Sequence, residues 1–92
     1  MKFNIEVGRE EKHNVEFSFN QLTGTLEIRV DGQLVVQSQR LINEPVCETY
    51  QLTIGEQEKN DVMIEKYRRP LFGHRRRVWI NNRLVQVAQT AF

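Results

Sequence analysis

The sequence predicts an all-β fold: a two-layer antiparallel β-sandwich of about eight strands, built from two similar halves. Three observations predict it. Oily and polar residues alternate with period two along most of the chain. Two-residue turn signals separate neighbouring runs at Asp31-Gly32 and Asn81-Asn82. The second half also repeats the pattern of the first.

The strands follow in order from the alternation. Phe3, Ile5 and Val7 alternate with Lys2, Asn4 and Glu6. Val15, Phe17 and Phe19 alternate with Asn14, Glu16, Ser18 and Asn20, and Leu26, Ile28 and Val30 with Thr25, Glu27, Arg29 and Asp31. Tyr50, Leu52 and Ile54, then Val62 and Ile64, then Val78 and Ile80 continue the rule. Successive strand side chains point to opposite faces, so each run has one buried and one wet face, as antiparallel sheets do. Asp31-Gly32 and Asn81-Asn82 tolerate the positive φ that a two-residue hairpin turn requires. Thr23-Gly24 and Gly73 mark further turns, and Pro45 and Pro70 interrupt the strand pattern. The stretch from Val36 to Glu48 has no 3.6-residue period and no cap, so it is read as an irregular edge strand or a short turn.

The duplication is visible on sliding the chain along itself. With Phe3 placed on Tyr50, Ile5, Val7 and Gly8 fall on Leu52, Ile54 and Gly55, and Glu11, Lys12, Val15 and Phe17 fall on Glu58, Lys59, Val62 and Ile64. Further on, Ile28, Val30, Leu34 and Val35 match Val78, Ile80, Leu84 and Val85, and the Asp31-Gly32 turn lands on Asn81-Asn82. Alternation alone explains the apolar matches but not the Gly, Glu, Lys and Val identities in one register, so true duplication is favoured. The offset grows by three between Glu65 and Val78, which places an insertion in the second copy. A half with one apolar face must bury it, and packing the halves face to face, about 1–48 on 49–92 within one domain of 1–92, gives the sandwich. A two-residue turn at Asp31-Gly32 would pair Val30 with Gln33, turning Val35 inward and Leu34 outward. The same logic turns Val85 and Val87 inward and Leu84 outward.

The bulk numbers restrict function. The chain has 92 residues, 39% hydrophobic and 27% charged, with a net charge of +1. That suits one globular domain and lacks the basic excess of a dedicated nucleic-acid binder. The single cysteine, Cys47, allows no internal disulfide, the N-terminus has no apolar leader, and no apolar run approaches membrane-spanning length. A cytoplasmic protein without membrane attachment is expected. Cys47 has no basic neighbour to activate it and is expected to be a buried or half-buried structural thiol. His13 is expected half-exposed at a strand start. His13 and His74 are far apart, with no metal-ligand spacing, and neither Ser18 nor Ser38 lies on a nucleophile elbow. No enzymatic activity, cofactor or metal site is expected.

The most distinctive segment is basic, with Arg68, Arg69, His74, Arg75, Arg76 and Arg77 within ten residues. Arg75, Arg77 and Trp79 share a parity opposite to Val78 and Ile80, so they should project from the outer face of one strand, while Arg76 should reach water from a strand end. Two readings fit. Arginine forks beside a tryptophan suit an anionic ligand, a nucleic acid or an acidic protein, with Arg68, Arg69, His74, Arg75, Arg77 and Trp79 as the candidate binding residues. The same arginines could instead lace an outer sheet face through cross-strand pairs with Glu6, Glu16, Glu27 or Glu65. Trp79 could equally cover a small apolar cluster or a dimer contact.

Together, Phe3-x-Ile5-x-Val7-Gly8, Val15-x-Phe17, Leu22-Thr23-Gly24 and Leu26-x-Ile28-x-Val30-Asp31-Gly32-Gln33 resemble the Fas apoptotic inhibitory molecule family. So do Leu52-x-Ile54-Gly55, Val62-x-Ile64, the Arg-rich turn and Val78-Trp79-Ile80-Asn81-Asn82-Arg83 in the second half. The resemblance implies an eight-stranded antiparallel β-sandwich and a non-enzymatic role linked, in animal members, to restraint of cell death and protection against aggregation. Those members carry two such domains and this chain one. The reading that follows is a non-catalytic interaction module, regulatory or anti-aggregation in role, with a protein partner and a monomeric or weakly dimeric state. Anion or nucleic-acid binding through Arg68–Arg77 is the alternative.

Overall fold

The computed structural model describes residues 2–20, 22–39, 46–68 and 73–90, with the side chains of 88–90 left aside. Arg69, Pro45 and Pro70 lie outside these residues. The chain is all-β as expected, with no helix among the described residues. Its strands are β1 (Lys2–Val7), β2 (His13–Asn20), β3 (Thr25–Val30), β4 (Gln33–Gln39), β5 (Cys47–Ile54), β6 (Asn60–Arg68), β7 (His74–Ile80) and β8 (Arg83–Thr90). They form two four-stranded antiparallel sheets, each in simple chain order: β1-β2-β3-β4 and β5-β6-β7-β8. The chain divides into two compact units, Met1–Glu44 and Pro45–Phe92, so Cys47 and Glu48 open the second unit instead of closing the first.

Within the first unit, cross-strand rows on the buried face read Phe3–Phe17–Ile28–Val36 and Ile5–Val15–Val30–Gln33. Phe17, Val15 and Ile28 are completely buried, and the Phe3 and Phe17 rings stack with centroids 5.0 Å apart. Each such side chain removed from water contributes about 1.5–3 kcal/mol, which is why the alternation dictates the sheet. In the second unit the equivalent rows are Tyr50–Ile64–Val78–Gln86 and Leu52–Val62–Ile80–Arg83.

The duplicated turns take the same form. Asp31 and Gly32 have φ of 51° and 84°, and Asn81 and Asn82 have φ of 49° and 65°. Both pairs thus occupy the left-handed region, which gives a hairpin turn the twist its strands need. Each turn is tied to the start of the second strand of its unit. Asn14 N–H donates to Asp31 Oδ1 at 2.8 Å, and Asp61 N–H donates to Asn81 Oδ1 at 2.9 Å. The equivalence extends to the neighbouring side chains. His13 bridges Asp31 Oδ2 and Glu11 Oε2, each at 2.5 Å, where Asn60 contacts Asn81 and Glu58. His13 does open β2 half-buried, as expected. With two carboxylates against its two ring nitrogens, Asp31 foremost and then Glu11, its pKa is raised. The Asp31 carboxyl is lowered in turn by His13 and by the Asn14 amide.

The structure corrects three expectations. The first concerns β4 and β8. Val30 pairs with Gln33 as expected, but Arg29 then pairs with Leu34 and Ile28 with Val36, leaving Val35 as a bulge. In β8, Trp79 pairs with Leu84 and Val78 with Gln86, so Val85 is the bulge. The extra residue reverses the parity beyond it. Val36 and Gln86 therefore join the buried faces, while Val35, Val85 and Val87 are about half exposed. The second concerns Cys47, which is exposed because it pairs with Tyr67 at the first position of the edge strand β5. The third concerns Arg76. It lies on the buried face, half-buried, with Nε donating to Gln86 Oε1 at 3.2 Å, and burial lowers its pKa.

Candidate functional site on the outer face of the second sheet

Parity on β7 puts Arg75, Arg77 and Trp79 on one face, and β6 presents Asp61, Met63, Glu65 and Tyr67 beside them. The register sets Met63 against Trp79, Glu65 against Arg77 and Tyr67 against Arg75. Glu65 is the hub. The Trp79 indole Nε1–H donates to its Oε1 at 2.6 Å, and the Tyr67 hydroxyl donates to its Oε2 at 2.9 Å. Arg77 Nε lies 3.3 Å from Glu65 Oε1, a charge contact whose angle does not make a hydrogen bond. The Arg77 Nη2 group donates to the Tyr67 hydroxyl, and the guanidinium carbon sits 4.9 Å above the Tyr67 ring. Glu65 raises the Tyr67 pKa, and the Tyr67 contact raises that of Arg77, so the hydroxyl stays protonated and the guanidinium charged.

Arg77 makes the kind of cross-strand contact that the charge-paired reading expects. It is engaged by Glu65 and Tyr67, so its charge is committed within the sheet. Arg75 is exposed on the same face. His74 is not on this face. It pairs with Arg68 on the opposite parity and is wholly buried, which corrects its inclusion among surface binding residues. Arg68 is exposed at the strand end in that same pairing. Arg69 lies outside the described residues. The five described candidates therefore do not form one patch. The structure instead joins Arg77 and Trp79 through Glu65 and adds Tyr67 and Met63.

Beside Trp79 lies a depression of about 460 Å³, lined by Gln51, Leu52, Thr53, Asp61, Met63, Trp79 and Asn82. Cross-strand pairing sets Gln51, Met63, Trp79 and Leu84 in one row. At the equivalent positions the first sheet carries Asn4, Glu16, Arg29 and Leu34. There Glu16 meets Lys2 at 3.6 Å and Arg29 meets Glu27 at 2.8 Å. The first sheet's outer face is thus an ordinary charge-paired surface, and only the second carries an aromatic and a thioether at its centre.

A sequence model of the Fas apoptotic inhibitory molecule family matches residues 1–90. The chain belongs to that family. The match confirms the resemblance read from the hairpin motifs and covers both units. The family is not known for enzymatic activity. Comparisons with curated proteins and with solved structures each return no match. Among the described residues, no cluster of three metal-ligating side chains occurs, and no helix is long and apolar enough to cross a membrane.

Proposed function

We propose that the chain is a non-catalytic protein-interaction module, of the regulatory kind its family membership suggests, which engages its partner through the outer face of the second sheet. One observation carries this reading: Trp79 is fixed in place by the Glu65 hydrogen bond, flanked by Met63 and Leu84, where the first sheet has Arg29, Glu16 and Leu34. A partly exposed aromatic that is already immobilised loses little entropy on binding, which is what an interface anchor requires.

The test is suppression of client-protein aggregation, with retention of bound partners measured in parallel. Trp79→Ala should weaken either readout by about 2 kcal/mol, roughly thirtyfold. Arg29→Ala, the equivalent change in the first sheet, should leave both unchanged. Circular dichroism on each variant checks that the fold is kept. Full activity in the Trp79 variant would exclude the face.

Anion or nucleic-acid binding is the weaker reading, since Arg77 is engaged by Glu65 and Tyr67 and His74 is buried. Retention on a heparin column that falls steeply with salt, and that Arg75→Ala abolishes, would reverse that ranking.

A further inference from the structure

Resting on the reading of this face as an interaction surface, we propose that the Trp79 depression receives the cationic side chain, lysine or arginine, of an extended partner segment. Charge complementarity and shape both favour that occupant. Among the lining residues the sole ionisable side chain is Asp61, a carboxylate at the rim. Its position is held from two sides: Thr53 Oγ1 donates to Asp61 Oδ1 at 3.1 Å, and the Asp61 backbone N–H donates to Asn81 Oδ1 at 2.9 Å. The lining also includes Trp79, an indole of the kind that attracts cations, and Met63, whose thioether suits a methylene stem. Gln51 is oriented at the same wall, its amide directed at Met63 Sδ at 3.8 Å.

The combination selects against other occupants. An anion would meet the Asp61 carboxylate. A purely apolar side chain would take water from that carboxylate and leave it only the Thr53 hydroxyl. An alkyl stem ending in a positive charge satisfies both the apolar wall and the acidic rim. The volume of about 460 Å³ is within the range of sites that hold a side chain with some of its backbone. The first sheet cannot do the same, because Glu16 and Arg29 stand where Met63 and Trp79 stand here.

Trp79 is the only tryptophan, so its fluorescence reports on the site directly. The probes are four capped peptides of one sequence that differ at a central lysine, arginine, norleucine or citrulline. The lysine and arginine peptides should perturb the emission at concentrations where the two neutral peptides do not. Asp61→Asn, which keeps the Thr53 contact, should weaken them about threefold, and added salt should act in the same direction. If norleucine and citrulline act as well as lysine and arginine, the cationic occupant is wrong, while the interaction face stands. If no peptide perturbs Trp79 but client suppression still depends on it, this inference fails alone. If client suppression is also indifferent to Trp79, both readings fail.

Discussion

The two sheets share strand order, turn geometry and bulge positions, yet their buried faces differ at one end. In the first sheet Phe19 pairs with Leu26, both buried and apolar. At the matching positions of the second sheet Lys66 pairs with Arg76, and Glu48 adjoins Lys66. The Lys66 ammonium lies 3.5 Å from Glu48 Oε1 with only 2% of its side chain exposed, and Tyr50 donates to the other Glu48 oxygen at 2.9 Å. One copy closes that end of its core with hydrocarbon, and the other closes it with charge. The comparison teaches that a duplicated frame tolerates replacement of an apolar row by an ionic one, provided the acid and base arrive together. Desolvating either alone would be strongly unfavourable.

That difference can be broken first at Lys66. Lys66→Met should destabilise the chain by about 3 kcal/mol, because Glu48 loses its buried countercharge. Adding Glu48→Gln should recover much of the loss, and urea denaturation of the single and double variants measures both. If the double variant is no more stable than the single, the pair is not what balances this row.

The turns offer a smaller effect. Gly32→Ala should cost about 1 kcal/mol although a Cβ there would meet nothing within 4 Å, because the penalty lies in the φ of +84° and not in crowding. Thermal melting of the variant checks it, and a neutral result would mean the backbone relaxes out of the left-handed region.

The smallest effect is electrostatic and confined to the first unit. His13 has a raised pKa, so its contribution is full below its ordinary value of 6.5 and is lost as pH climbs through the higher folded value. Asp31 has a lowered pKa, so its contribution is present above 3.8 and is lost as pH falls through the lower folded value. Protection of the Asn14 amide, measured against its intrinsic exchange rate at each pH, should therefore be greatest between those two limits and fall on either side. Asn60 and Asn81 occupy the equivalent places in the second unit, so exchange at Asp61 should show no such window. His13→Asn should remove the loss on the alkaline side and leave the loss on the acid side, because Asp31 still accepts from the Asn14 amide.

Much of this was legible from the sequence because it rests on local rules. Period-two alternation gave the strands and the buried residues from Phe3 to Val78, and the paired turn residues gave both hairpins. The outward parity of Arg75, Arg77 and Trp79 followed from the same rule. Val35 and Val85 were misplaced because Leu34-Val35-Val36 and Leu84-Val85-Gln86-Val87 offer apolar residues at both parities, so alternation cannot announce a bulge. In the sequence Glu65 is one of four glutamates available for pairing. The connection between β6 and β7 runs through the basic segment and is not a two-residue turn, so the register that sets Glu65 against Arg77 and Met63 against Trp79 could not be counted from the chain. Proximity along the chain groups His74 with the arginines, whereas parity sets it on the other face.

The twin bulges on β4 and β8 have a consequence for solubility. Each lies on the last strand of its sheet, where unsatisfied amides would otherwise offer a straight template to another chain. One surplus residue throws that row out of step, so an incoming strand can match only part of it before the hydrogen bonds fall out of phase. Half-exposed Leu34, Val35, Leu84 and Val85 stand at these out-of-step margins.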